Sequence, residues 1–478
     1  RPAAGPALDV NGAFLGGEPQ IDRAGHRTRL ELRNVGTLVL GPHTVRLGGG
    51  VRRDALTETD ASGFGGAFEF ASLQDFARQS PFVYRVSQGT PRVSLVSWEA
   101  EAFAQDEIKL GNPLRLMIGA RYDRTSEIGD RDNVAPRLAL AYSPGSQKTV
   151  FRGGFGVFYE RLPSWVSVHR LLDDGARVRS LVMAHPSYPD PFLAGEASFV
   201  PPSVFRTAAD LQTPYVVQAS AAWERRLGRW TFMTVEYSFL RGFHLFRLRD
   251  VNAPLPGTAL RPDPSLRNVL EIGSDGMMRS HAVTFTYRGH VGRRFKATAQ
   301  YTLARTRNDV PGAGADLGSD SSLRLPADNY DLANEYGRAD FDRRHTVNLA
   351  GLLDLPFRMQ LGALLKYKSA APFEITTGRD DNGDTYANDR PPGVPRNAGD
   401  GAPFAQLDLR LTKDIPTASP FPGEKRRQGR IQLVLDAFNL LNQVNYGPYV
   451  GVMTSPFFGR AVVARDPRSF QFAVRYGF

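Results

Sequence analysis

The densest set of side chains able to do chemistry lies at Asp380-Asp-Asn-Gly-Asp384. Asp380, Asn382 and Asp384 follow a D-x-N-x-D spacing. In a loop, alternate residues can turn their oxygens toward one hard cation. Tyr386 would offer a carbonyl at the next alternate place, and Asn388 or Asp389 a further ligand. Calcium is the cation that suits such an oxygen set. The loop is not an EF-hand. Pro391 stands where the bidentate Glu belongs, and Gly383 follows the second ligand directly. The plain alternative is a solvated acidic turn, because Asn, Asp and Gly make turns on their own account.

Other chemistry finds little footing. The histidines are His26, His43, His169, His185, His244, His281, His290 and His345, and none pair at metal spacing. No H-E-x-x-H, G-x-S-x-G or phosphate-cradling G-x-x-x-x-G-K is present. Gly312, Gly314 and Gly318 mimic a dinucleotide fingerprint with the wrong last spacing and no strand leading in. Asp340, Asp342 and His345 could suggest a catalytic cluster, but read more simply as the start of a strand with Asp–Arg pairing. There is no cysteine, which removes disulfides, thiolate metal sites and Cys nucleophiles. Lys and Arg exceed Asp and Glu by 59 to 49, a net charge of +10. The basic residues recur along the whole chain and no nucleic-acid-binding signature accompanies them, so no nucleic-acid partner is expected.

The elements that must carry these residues show in the patterning. A chain of 478 residues ordinarily suggests two or three domains. Hydrophobic residues make up 41% and mean hydropathy is -0.32. No apolar run approaches the roughly 18–20 residues of a spanning helix. Gly (47) and Pro (34) point to many turns. A β-barrel is the membrane class that such an average hides, because only alternate residues are apolar.

Period-two alternation dominates. Leu114, Leu116, Ile118, Ala120 and Tyr122 alternate with Arg115, Met117, Gly119, Arg121 and Asp123. Phe470, Phe472, Val474, Tyr476 and Phe478 alternate with Gln471, Ala473, Arg475 and Gly477. Leu361, Ala363, Leu365 and Tyr367, and then Leu407, Leu409 and Leu411, do the same. Helical periodicity is weak, with one possible turn near Leu73 to Arg78. Several alternating segments are longer than the roughly 5–6 residues of soluble strands.

The connections sort by length, short then long, as periplasmic turns and extracellular loops do in outer-membrane barrels. The long ones fall near 54–91, 161–213, 250–278, 309–343, 378–403 and 442–468. Pro416 to Gln428 is intermediate and breaks the rule. Counting back adds strands at about Thr28 to Val35 and His43 to Arg53. The total is about fifteen. The last strand runs inward and so does the first, which would put the chain's beginning outside the cell. Bacterial single-chain barrels have even strand numbers. The odd count is therefore expected to reflect a missing front part, as does a start at Arg1 with no signal segment.

Several stretches resemble TonB-dependent outer-membrane transporters, in particular the Oar-like group. They are Phe103-Ala-Gln-Asp-Glu-Ile-Lys-Leu110, Phe151-Arg-Gly-Gly-Phe-Gly-Val-Phe-Tyr-Glu-Arg-Leu-Pro163 and Gly337-Arg-Ala-Asp-Phe-Asp-Arg-Arg-His345. Asp380-Asp-Asn-Gly-Asp384 with Asn388-Asp-Arg-Pro391, Phe438-Asn-Leu-Leu-Asn442 and the ending Phe470 to Phe478 join them. The resemblance covers roughly 90–478. It implies an outer membrane of a Gram-negative cell and a 22-stranded barrel. It also implies a solute bound at the long loops, work supplied by the TonB complex through a plug, and Phe478 read by the barrel-assembly machinery. No plug or TonB box is present in the sequence.

The expectation is thus an all-β chain, one transmembrane antiparallel β-barrel domain over 1–478 and an incomplete part of a larger barrel, acting in TonB-dependent transport without covalent chemistry. Its surroundings would be outer-membrane lipid and lipopolysaccharide. Arg115, Arg121, Arg137, Arg152, Lys366, Lys368, Arg410 and Arg475 fall on the lumen face. There they either guide anionic solute or contact an acidic plug, or pair with Glu99, Glu101, Glu160, Glu236, Asp408 and Asp436 across strands; pairing is favoured. Tyr122, Tyr142, Tyr159, Tyr367, Tyr476 and Phe478 fit an aromatic girdle. The rival readings are a passive porin-like channel and an extracellular all-β carbohydrate-binding or adhesion protein.

Overall fold

The computed structural model describes residues 5–18, 22–145, 148–193, 201–311, 324–417 and 429–477. Its strands are numbered in chain order. Two short ones, β1 (Ala7–Val10) and β2 (Phe14–Gly17), precede the first long strand. Fifteen long strands then form one antiparallel wall in chain order. They begin with β3 (Arg23–Leu40), β4 (His43–Asp60), β7 (Arg92–Leu110), β8 (Leu114–Thr125) and β9 (Val134–Tyr142). Then come β10 (Thr149–Tyr159), β13 (Tyr215–Arg226), β14 (Phe232–Asp250), β15 (Val269–Val291) and β16 (Phe295–Asn308). The wall ends with β18 (His345–Leu355), β19 (Met359–Lys368), β22 (Phe404–Thr417), β23 (Gly429–Phe438) and β24 (Ser469–Gly477). Among the described residues β3 pairs only with β4 and β24 only with β23, so the wall is open.

Register makes the outer face continuous. Leu116 opposes Leu140, Ile118 opposes Leu138 and Phe285 opposes Tyr301. Leu349 opposes Leu365, which opposes Leu407, and Leu435 opposes Phe472. These large apolar groups lie open: Ile118 is 50% exposed, Phe285 47% and Phe472 67%. In water such a surface would be strongly unfavourable; in a bilayer it is solvated by acyl chains. No described helix is long and apolar enough to cross a membrane.

The short turns lie at one end of the wall. Gly41 and Gly292 adopt φ +56° and +69°, which lets two or three residues reverse the chain. The turn at Pro356 achieves the same with Phe357 and Arg358 at φ +60° and +55°. At the opposite end the long connections carry structure of their own. They hold β5 (Ala67–Phe70), β6 (Val83–Gly89), β11 (Val178–Ala184), β12 (Pro202–Thr207), β17 (Gly337–Arg338), β20 (Pro372–Phe373) and β21 (Gly399–Asp400). β2, β1, β5, β6, β11 and β12 pair in that order into a sheet over the mouth, with β1 parallel to β5.

Two helices join this roof. α1 (Leu73–Ala77) is where the sequence suggests a turn, capped by Ser72 accepting from the Asp75 amide at 3.1 Å. α2 (Ser164–Leu172) has no signal in the sequence reading. Its Val166 and Val168 are buried, and Val166 packs with Phe205, Leu248 and Ile272.

The strands also outrun the expected limits. β3 and β4 are longer than Thr28 to Val35 and His43 to Arg53, and the loop expected from 54 begins after Asp60. The loop expected over 250–278 ends at Asn268, because β15 starts at Val269 and pairs with β12. The loop expected over 378–403 begins at Ser369, and that over 442–468 begins at Asn439. The expected limits of 161–213 agree with the end of β10 and the start of β13.

Candidate site at the outer mouth of the barrel

The lumen face of the wall carries paired charges. Glu101 accepts from Arg33 at 2.6 Å and from Arg121, which also binds Asp123 at 2.7 Å. Glu99 holds Arg52 and, at 3.0 Å, Arg161. Asp436 holds Arg410 through two bonds of 2.6 and 3.0 Å. Arg152 reaches Glu224 at 3.6 Å and Arg115 reaches Glu107 at 3.7 Å. Arg137 lies over Phe158, 5.0 Å from the ring centre. Lys366 stands opposite Asn348 and Gln406, and Arg475 opposite Gln432. Pairing thus holds closely for Arg121 and Arg410 and loosely for Arg115 and Arg152, whereas Arg137, Lys366 and Arg475 face a ring or neutral amides. Asp408 serves differently, accepting from Gln406 and from the Asn439 amide.

Tyr122, Tyr159 and Tyr367 stand near the long-loop ends of β8, β10 and β19, and Tyr142 and Tyr476 near the turn ends of β9 and β24. Phe478, Gly312, Gly314 and Gly318 lie outside the described residues. Asp342 accepts the Thr306 amide at 2.7 Å and faces Arg338 at 3.6 Å, while His345 stacks on Tyr301. His345 begins β18, and Asp342 lies in the short connection that leads into it from β17.

Above the lumen the segment 369–403 folds inward and is held by short turns. Asp380 Oδ2 accepts the Thr385 amide at 2.9 Å. Asn382 Oδ1 accepts the Asp384 amide at 2.9 Å, and Asp384 Oδ1 accepts the Tyr386 amide at 2.9 Å. The D-x-N-x-D spacing is therefore a run of side chains each closing a local backbone turn. Among the described residues, no three carboxylate or imidazole groups are placed to hold a metal ion.

The same side chains bind the other loops. Asn329 donates to Asp384 Oδ2 at 3.0 Å, and Asn382 donates to the Ala327 carbonyl at 3.0 Å. Asn388 donates to Leu325 and Pro326 carbonyls at 3.0 and 3.1 Å. Asn268 bridges Asp250 at 2.7 Å and the Asp384 carbonyl at 2.9 Å. From β6, Arg85 binds Glu69 at 2.5 Å and the Thr385 carbonyl, and lies 4.4 Å from the Tyr386 ring centre. Four segments distant in sequence are locked together. Burial is the main cause that pushes Asp384 and Asp389 up to about 7, with neighbouring Asp380 adding to both. Sequence reasoning singled out Asp380, Asn382 and Asp384 but missed Asp250, Asn268 and Asn329, whose partners are up to 117 residues away.

These loops roof a cavity of about 750 Å³. Its wall mixes acids with cations and aromatic rings, among them Glu374, Arg390, Arg343, Arg465, Tyr446 and Tyr449. Arg390 binds Glu335 at 2.5 Å and approaches Glu374 at 3.5 Å. A cavity of this size suits a small solute with several polar groups.

The family model described as "Outer membrane beta barrel domain" matches residues 2–133 and 128–398. No curated protein matches the sequence. Among solved structures, the chain is similar to the outer membrane transporter YddB from Escherichia coli, with TM-score 0.60, 11% identity and coverage of 95% of this chain and 54% of that one. It is also similar to a Q482A mutant of the ferric enterobactin receptor PfeA of Pseudomonas aeruginosa in complex with enterobactin, with TM-score 0.57, 13% identity and coverage of 95% and 54%. The ferripyoverdine receptor of the same organism, bound to ferripyoverdine, gives TM-score 0.51, 9% identity and coverage of 95% and 48%. The chain spans about half the length of these structures. At such identities they share its fold. Wall, loop arrangement and family agree on the outer membrane of a Gram-negative cell, which removes the soluble adhesion reading. The chain belongs to the outer-membrane β-barrel domain family.

Proposed function

We propose that this chain is the wall of a TonB-dependent transporter that takes a solute bound at its mouth across the outer membrane. The observation that carries the proposal is the open fifteen-stranded wall, which follows receptor and transporter barrels over 95% of its own length. An open edge cannot face lipid, because its backbone groups find no partner there. Further strands would close the wall toward a 22-stranded barrel, and that bore is wide enough to need a plug. The paired lumen charges offer a polar lining for such a plug. The solute would bind in the roofed cavity and against the plug. The TonB complex would then move the plug with work from the inner-membrane proton gradient. No covalent chemistry and no nucleic acid enter this scheme. The barrel-assembly machinery would read Phe478. Calcium would suit the oxygens of Asp380, Asn382 and Asp384, with Tyr386 and Asn388, once they were released from their backbone donors.

The test uses the full-length protein from outer membranes. In a planar bilayer it should show no steady conductance, and it should be retained by the periplasmic domain of TonB. A steady open conductance with no retention would instead establish the passive-channel reading.

A further inference from the structure

The outer face of β14, β15 and β16 changes character near its loop end. Outward residues on β16 run Phe295, Ala297, Ala299, Tyr301 and Leu303, then Arg305 and Arg307. On β15 they run Phe285 and Val283, then His281 and Arg279. On β14 they run Tyr237 and Phe239, then Arg241. Register aligns the changes. Arg241 opposes Arg279 and Arg279 opposes Arg307, while Phe239 opposes His281 and His281 opposes Arg305. Arg307 faces yet another arginine, Arg338 of β17.

Arg241, Arg279, Arg305 and Arg307 are exposed, whereas Gly242, Met278, Thr306 and Asn308 between them are buried toward the lumen side. Like charges directly opposite across strands are destabilising. Acids nearby do not relieve them: Asp275 is taken by Arg247 at 3.2 Å and Asp342 by Arg338 at 3.6 Å. Among the described residues, none of the four arginines forms an ion pair. Arg279 donates instead to His281 at 2.9 Å and leans on Phe239, and Arg241 leans on Phe243.

The height of the patch identifies its surroundings. Phe295 to Arg305 is ten steps, about 33 Å of strand. At a tilt of about 40° that is about 25 Å, the height of the apolar band of an outer-membrane barrel. The arginines therefore stand where acyl chains give way to headgroups, on the side of the long loops.

We propose that this patch binds the phosphate groups of an outer-leaflet glycolipid, the lipid A end of lipopolysaccharide. Guanidinium forks bind phosphate through paired charge-assisted bonds. Phe239, Phe285 and Tyr301 just below would meet the first acyl carbons. A soluble anion would need no such apolar floor. The site stands apart from the transport reading, since it faces lipid and not the lumen.

The test titrates the full-length protein in detergent with bis-phosphorylated lipid A and reads binding by native mass spectrometry. Replacing Arg279, Arg305 and Arg307 together by Gln should weaken binding by about tenfold or more, the scale of lost charge-assisted bonds. The Lys triple, which keeps the charge but loses the paired bonds, should bind more weakly than the unaltered protein and more tightly than the Gln triple. Replacing Arg293 and Arg294, at the short turn, by Gln should change nothing. Inorganic phosphate should not displace the lipid. Equal binding by the Gln triple, or equal binding of dephosphorylated lipid A to the unaltered protein, would overturn the proposal. Should the Gln triple fail to assemble, Arg305→Gln alone carries the test, and unchanged binding would again count against it.

Discussion

Asn329 and Asp384 belong to different mouth loops, 55 residues apart, yet the Asn329 amide donates to the Asp384 carboxylate at 3.0 Å. Both side chains are buried, Asp384 completely. This contact joins the segment after β16 to the segment after β19. Replacing Asp384 by Ala would leave Asn329 and the Tyr386 amide without their acceptor. The cost is about 1–3 kcal/mol per orphaned buried donor. Limited proteolysis of folded protein should then cut between 369 and 403 much faster, with the barrel itself intact on heat-shift gels.

The same carboxyl makes the roof sensitive to pH. Asp384 and Asp389 sit at about 7, raised from 3.8 mainly by burial. A raised carboxyl favours the folded state while protonated. Its contribution is complete below about 4 and is lost as pH rises through 7. Hydrogen exchange over 376–390, corrected for intrinsic rate, should therefore be slower at pH 5.5 than at pH 8. Asp384→Asn should flatten that difference. Calcium at pH 8 should restore protection if the loop opens to take it, and absence of any protection would remove calcium from the account.

Glu101 lies between Arg33 and Arg121 on the lumen wall. Glu101→Gln should lower barrel stability by about 1 kcal/mol, since it strips two partly covered cations of their partner. Glu107→Gln should have no measurable effect, because its partner Arg115 lies at 3.7 Å and is 63% exposed. Urea unfolding in detergent, followed by tryptophan fluorescence, distinguishes the two.

Much of this was legible in the residues. The alternation of Leu114, Leu116 and Ile118 with Arg115, Met117 and Gly119 is imposed by two different solvents on two faces, so it survives in one dimension. Fifteen wall strands and the sorting of loops followed from it. The roof did not show. β1 pairs in parallel with β5 across nearly sixty residues, and nothing local to Ala7–Val10 reports that partner. α2 follows Pro163, which supplies no side-chain cap, and its Val166 and Val168 are apolar for reasons set by Phe205, Leu248 and Leu56. The outer part of β15 reads as loop because Gly273, Asp275 and Gly276 interrupt the pattern. At the candidate site, the spacing of Asp380, Asn382 and Asp384 showed clustered oxygens, while the partners that use those oxygens come from other loops.

The two faces of the wall should also differ in their tolerance of charge. Phe285 points outward near the middle of the apolar band, and Thr286 beside it points inward. Phe285→Arg should cost about 2–4 kcal/mol of barrel stability, as for a cation at the bilayer midplane. Thr286→Arg should cost well under half of that. Folding titrations into lipid vesicles measure both.

The absence of cysteine permits the most direct test of the central claim, that this chain is a transmembrane barrel wall. Single cysteines placed at each position from 281 to 289 of β15 would be spin-labelled in the lipid-reconstituted protein. Their collision rate with oxygen, which concentrates in acyl chains, would then be measured. The account predicts a period of two, with high contact at 283, 285 and 287 and low contact at 282, 284 and 286. Uniform contact along the strand, or high contact on the even positions, would contradict it.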